Sequence, residues 1–190
     1  MNRRHKKPIP RTNIPRIWMM TDPRIGGGLL RAVQRMPMRS GVIFRHYDLD
    51  AIARKALFQK IRRICRRRGH VLLLAGNRAK LGSWQADGWH GSSRNSDRGI
   101  NSVSVHNVRE IAQARRNRAD IMLISPVYAT RSHPGQPPLG PKQFLRLAAL
   151  CGTAQRIALG GMTRQRAALF RATQIDGWAA IDAFVSKPRC

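Results

Sequence analysis

Carboxylates are scarce in this chain. Nine Asp and Glu stand against 36 Lys and Arg over 190 residues, giving a net charge of +27. Such a field draws anions, so the expected partners are nucleic acid, acidic lipid or phosphorylated metabolites. Cysteine is also sparse: Cys65, Cys151 and Cys190 are far apart and odd in number, which excludes a disulfide framework or a metal cluster and suits reduced thiols in a cytoplasm. No apolar run approaches the roughly 20 residues that span a bilayer, so no membrane is expected as a partner. Residues 1–16 are basic and punctuated by proline, with no apolar core of the secretory kind. These absences together predict a soluble, cytoplasmic protein. Helix-turn-helix, RNP-like and zinc-finger spacings are missing as well. The clusters at Arg3–Lys7 and at Arg62, Arg63 and Arg66–Arg68 therefore leave only non-specific nucleic-acid contact open.

What is present is a 42% apolar fraction, ordinary for a globular protein, arranged as short apolar runs between longer amphipathic stretches. After the tail at 1–16, strands are expected at Ile17–Met20, Gly41–Phe44, Val71–Ala75, Gly88–His90, Ser102–Val105, Ile121–Ile124, Arg156–Leu159 and Gly177–Ile181. In 51–68 the residues Leu57, Ile61, Ile64 and Cys65 follow helical spacing, with Arg and Lys on the other face. Further helices are expected over Val108–Arg116 (capped by Asn107), Gln143–Cys151 and Arg164–Ala172, and Arg31, Arg35, Arg39, Arg115, Arg116 and Arg118 are placed on helices. Alternation of this kind implies parallel pairing and right-handed crossovers. Eight units suggest an α/β protein closed as a (β/α)8 TIM barrel over residues 17–187, small, with some helices shortened. A doubly wound open sheet is the alternative.

Three segments carry candidate chemistry. Ser125-Pro-Val-Tyr-Ala-Thr-Arg-Ser-His133 follows strand six, and its hydroxyls at Ser125, Thr130 and Ser132 could wrap a phosphate; a polar surface loop is the plainer reading. In Ala158-Leu-Gly-Gly-Met-Thr163 the paired Gly160 and Gly161 after a strand make a phosphate seat, or else an ordinary strand-to-helix turn. His106 closes Ser104-Val105-His106, where an imidazole suits proton transfer; a capping or core role is its alternative.

Together these segments resemble the thiamine phosphate synthase/TenI family. Trp18-Met-Met-Thr-Asp22, Ile43-Phe-Arg45, Ala86-Asp-Gly-Trp-His90, Ser102-Val-Ser-Val-His106, Ser125-Pro-Val-Tyr-Ala-Thr130 and Leu159-Gly-Gly-Met162 carry the resemblance in order and spacing, over about Ile17 to Val185. It implies a (β/α)8 barrel and a phosphorylated thiamine precursor as ligand. Thr130, Ser132, Gly160, Gly161, Ile181 and Asp182 then fall where the family holds a thiazole phosphate. A dimer or trimer is implied too. The family's synthases join a hydroxymethylpyrimidine diphosphate to the thiazole phosphate, releasing pyrophosphate, with Mg²⁺ neutralising charge on the leaving group. Here the family's strand-two Gln-x-Arg-x-Lys retains only Arg45, with Ile43 and Tyr47 in the outer places. The carboxylates after strands three and four are absent from Ala75-Gly-Asn-Arg78 and Trp89-His-Gly-Ser-Ser-Arg94, and Asp97 lies later. No metal ligand is therefore assigned, and Mg²⁺ lacks the oxygen donors a hard cation wants. Asn77, Arg78 and Arg94 could neutralise a diphosphate directly. The TenI branch aromatises a thiazole tautomer without metal, and His106 resembles its strand-five histidine. The expectation is a tautomerase-like enzyme using His106 and Arg45. A synthase-type transferase, a non-catalytic carrier of thiamine phosphates and a basic nucleic-acid-associated protein are the alternatives.

Overall fold

In a computed structural model the described residues are 14–76, 81–92, 99–131, 135, 137–170 and 175–185. Eight parallel strands close into a barrel in chain order: β1 (Ile17–Met20), β2 (Gly41–Phe44), β3 (Val71–Ala75), β4 (Gly88–His90), β5 (Ile100–Val105), β6 (Ile121–Ile124), β7 (Gln155–Ala158) and β8 (Gly177–Ala180). β8 pairs with β1 through Ile17 and Trp178, so no edge remains and the open-sheet alternative is excluded. Helices α1 (Leu29–Arg35), α2 (Ala51–Arg68), α3 (Leu81–Trp84), α4 (Val108–Arg116), α5 (Gly140–Ala149) and α6 (Arg164–Ala168) flank it, with a 3₁₀ turn at Pro23–Gly28. Among the described residues no helix is long and apolar enough to cross a membrane.

Strand parity explains the continuous apolar runs, because both faces of every strand are covered. Trp18, Ile43, Leu73, Leu123, Ile157 and Ala179 point into the barrel. Met19, Val42, Phe44, Leu72 and Leu74 point outward and pack with Val33, Phe58 and Ile61 of α1 and α2. The Trp18 indole fills the lower end. It leaves no room for a side chain at Gly41, where a Cβ would sit 2.1 Å from the ring. Cys65 and Cys151 are buried free thiols, and burial pushes them up to about 12 and about 11.

The loops entering alternate strands repeat one device. Asp87, Asp120 and Asp176 each precede a strand, and each carboxylate accepts a backbone N–H from the strand alongside: Leu72, Asn101 and Arg156, all at 2.9 Å. The aspartate's own N–H returns a bond to the same residue's carbonyl at 2.9–3.0 Å. Three pairs of neighbouring strands are thereby pinned in register at their starts.

Expectation and structure differ in detail. β5 starts two residues earlier than expected, at Ile100, and β7 runs over Gln155–Ala158. α5 starts at Gly140 with Pro141 in its first turn, where the missing N–H is no loss. α6 ends at Ala168 instead of Ala172. Arg39 and Arg118 lie beyond their helices, both with left-handed backbone. Only nine residues separate His90 from Ile100, too few for a helical crossover of a dozen or more.

Candidate active site at the carboxyl mouth of the barrel

The carboxyl ends of the eight strands form one mouth, the end where (β/α)8 enzymes carry their chemistry. At β1, Thr21 is fully buried. Its Oγ1 accepts the Arg45 N–H at 3.0 Å and lies 2.9 Å from His46 Nδ1, which fixes β2's exit against β1's. Asp22 caps the 3₁₀ turn through Arg24 N and takes a two-pronged bond from the Arg24 guanidinium, 2.7 and 2.9 Å. Those Arg24 bonds hold its carboxyl below the usual range against the opposing effect of burial, and Arg45 adds to them.

Arg54 of α2 joins the ends of β2 and β3. Its guanidinium donates to the carbonyl of Arg45 at 2.9 and 3.1 Å and to that of Ala75 at 2.8 Å. The rings of Phe44, Tyr47 and Trp84 surround it, with centroids 5.1–5.6 Å away. Burial lowers its pKa.

On β4, His90 points inward between two hydroxyls of β5. Nδ1 is 2.9 Å from Ser102 Oγ and Nε2 is 3.4 Å from Ser104 Oγ. Desolvation pushes this imidazole down to about 4, with the nearby Arg45 charge adding to it, so His90 is neutral at physiological pH. Sequence reasoning placed His90 on its strand without choosing it as a site residue. The available signal was its terminal place on a barrel strand, on the face it shares with Gly88.

His106 sits at the rim, one step beyond β5. Its Nδ1 is 2.9 Å from Glu110 Oε2, and its backbone N–H donates to the same oxygen at 2.8 Å. Asn107 completes the start of α4: its Oδ1 accepts the Glu110 N–H at 2.9 Å, and its side-chain amide donates to Glu110 Oε1 at 2.8 Å. Burial raises the Glu110 carboxyl, but the His106 hydrogen bonds win and it lies below the usual range. An ionised carboxylate only accepts, so the proton of a neutral His106 sits on Nδ1 and Nε2 keeps its lone pair. The bond thus presents Nε2 as a base, with 35% of the side chain exposed. Glu110→Ala is expected to lower stability by about 1 kcal/mol through the lost cap, read as a fall in the urea midpoint.

The remaining wall comes from β6, β7 and β8. Ser125 is buried and precedes a cis peptide to Pro126. The chain then runs beside β7's exit, with Val127 and Tyr128 donating to the carbonyls of Leu159 and Gly160 at 2.9 and 3.1 Å. This explains the paired glycines. A Cβ at Gly160 would meet Pro126 Cα at 2.7 Å and one at Gly161 would meet the Ala129 carbonyl at 2.6 Å, with φ +93° and +59°. The chain's own strand-six loop thus packs closely against both glycines. Ile181 and Asp182 end β8's side of the mouth. Asp182 pairs with Arg131 at 2.8 Å, and its charge also reaches Arg24. Asp22, Arg24, Asp182 and Arg131 thus alternate in sign along this rim.

Of the expected site residues, Arg45, His106, Ser125, Thr130, Gly160, Gly161, Ile181 and Asp182 lie around this mouth; Asn77, Arg78, Arg94 and Ser132 are outside the described residues. Among the described residues no three His, Cys, Asp or Glu come together as a metal site. Of the described carboxylates at this end, Asp22 and Asp182 are engaged by arginine, Glu110 by His106, and Asp50 by the first amides of α2. Among the described residues this end therefore gathers no cluster of oxygen donors of the kind a hard dication wants.

A family model described as thiamine monophosphate synthase matches residues 20–184. The chain belongs to this family, thiamine phosphate synthase/TenI. A thiamine-phosphate synthase of Thermobifida fusca (strain YX) is 30% identical over 163 residues, covering 77% of this chain and 74% of that protein. One from Geobacillus kaustophilus (strain HTA426) is 28% identical over 150 residues, 74% and 68% of the two chains. The thiamine phosphate pyrophosphorylase structure from Pyrococcus furiosus superposes with a TM-score of 0.76 at 16% identity, covering 93% of this chain and 90% of that one, and supports the fold. Family membership places the protein in thiamine biosynthesis.

Proposed function

We propose that this family member acts on a thiazole phosphate as a metal-independent tautomerase, with His106 as the acid/base. The observation that carries the reading is the His106–Glu110 pair at the rim of β5, which leaves Nε2 free to take a proton. Nε2 would remove a proton from one ring position and return it to another, so the reaction is an isomerisation needing no co-reactant. The phosphate would lie between the strand-six loop, Gly160–Gly161 and Ile181–Asp182, with Thr130, Ser132 and Arg131 as donors and Ser125 beneath. Arg45, whose charge is felt at both His90 and Asp22, would face the ligand's remaining anionic group. In the synthase reading, favoured by the names of the relatives, Asn77, Arg78 and Arg94 would take the diphosphate.

Turnover of the thiazole tautomer in the presence of EDTA tests the proposal. Isomerisation should proceed, and His106→Gln should slow it about a hundredfold while leaving calorimetric affinity for thiazole carboxylate phosphate within about twofold. Mg²⁺-dependent synthase turnover would assign the transferase reaction instead. Binding without turnover would assign a carrier, and absence of binding would remove the thiazole site altogether.

A further inference from the structure

At one end of the barrel the acids and the arginines point in different directions. The starts of the strands and the ends of the helices make up the face opposite the mouth. The aspartates of that face, Asp87, Asp120 and Asp176, turn their carboxylates inward to the strand starts. The cations turn outward: Arg39, Arg66 and Arg67 at the ends of α1 and α2, and Arg115 and Arg116 at the end of α4, are all exposed. Neither α1 nor α2 carries an acid, so nothing on those helices offsets this charge. One cation in a last turn complements the helix dipole. α2 places three there, Arg66, Arg67 and Arg68, of which Arg68 is used to hold the Met36 carbonyl at 2.8 Å. The chain reaches β1 from the same end, after a segment with Arg3, Arg4, Lys6, Lys7 and Arg11.

We infer that this amino-terminal face of the barrel is a polyanion-binding surface whose partner is the phosphate backbone of double-stranded nucleic acid. Its exposed cations are arginines, whose planar fork matches phosphate oxygens in a way a lysine does not. Among the described residues the exposed large aromatic is Tyr47, beyond the end of β2 at the opposite end of the barrel. The face therefore lacks both the rings on which unpaired bases stack and the aromatic anchors of interfacial membrane binders. Among its described residues this face exposes Met38, Leu150 and Leu169 only as separate apolar side chains between the arginines, so charge without base readout dominates it, which suits a duplex backbone. This surface is independent of the thiazole site.

Fluorescence anisotropy with a labelled DNA duplex of about 20 base pairs, titrated with NaCl, tests it. The full-length triple variant Arg63→Gln/Arg66→Gln/Arg67→Gln should flatten the plot of log affinity against log salt by about 2.7, and Arg67→Gln alone by about 0.9. A triple control removing the same charge at the mouth end, Lys55→Gln/Arg109→Gln/Lys142→Gln, should leave the slope unchanged. All six positions are exposed, the half-buried Arg62 beside them is left intact, and equal thermal midpoints show that each variant is folded. Equal flattening by both triples would show diffuse charge and overturn the inference. So would absence of duplex binding at 50 mM salt, or binding to phosphatidylserine vesicles without binding to the duplex.

Discussion

Arg54→Ala should lower the unfolding free energy by about 4 kcal/mol, a large share of the 5–15 kcal/mol typical of a domain. Three consequences of the truncation add. The carbonyls of Arg45 and Ala75 lose their donor, and a buried acceptor left unmade costs about 1–3 kcal/mol. The space among Phe44, Tyr47 and Trp84 is left partly empty, with the further loss that attends a cavity. A favourable cation–ring contact disappears as well. Against these stands the relief of desolvating a cation, which is why Arg54→Met, filling the space without charge, should lose about half as much. Arg54→Lys should recover little, because one ammonium cannot reach both carbonyls in the fork's geometry. Urea denaturation of the three variants checks the order. A loss below about 1 kcal/mol for Arg54→Ala would show that the strand ends hold without the guanidinium. The same change should disturb the mouth, since Arg54 grips the backbone of Arg45.

Much of this was legible in the sequence. The eight strands stand out because a parallel barrel buries both faces, so that Val71–Ala75 and Ile121–Ile124 read as unbroken apolar runs. α2 shows most of its stripe directly: the structure buries Ile61, Ile64 and Cys65 as expected, but Phe58 is buried where Leu57 is only half-buried. Arg54 occupies that stripe, three residues before Leu57, yet composition counts it with the polar face; burial of a guanidinium on carbonyls and rings has no local signature. α1 is obscured by the glycines and proline of the turn before it, and α3 is a single turn. The mouth was legible as a set of strand ends but not as a set of contacts. Arg131 meets Asp182 across 51 positions of chain, and Ser102 and Ser104 meet His90 across β4 and β5. The glycines after β7 stand out in the sequence, but what demands them in the structure is a loop 34 residues earlier, as Pro126 lies against Gly160.

Mild acid should destabilise this protein before its carboxylates titrate. His90 is depressed from 6.5 to about 4 in the folded state because the charged form is desolvated. Between those values the unfolded chain binds the proton and the folded chain does not, so stability falls as pH drops. A gap of 2.5 pH units sets a ceiling of about 3 kcal/mol, fully present above pH 6.5 and lost by about pH 4. His46 and His70 are lowered by burial too and act in the same direction. Asp22, Asp176 and Glu110 are held low instead, so their contributions vanish only as pH falls through and below the ordinary carboxylate range. The two groups therefore separate by pH window. Urea midpoints measured from pH 7.5 to 4.5 should fall steeply in the native chain, and less steeply in His90→Asn, which keeps a hydrogen-bonding side chain between Ser102 and Ser104 but has nothing to protonate. Parallel curves for the two proteins would place the acid-sensitive proton elsewhere. At pH 7 the imidazole is neutral, and among the causes of its depression the charge acting on it from the mouth is that of Arg45 alone.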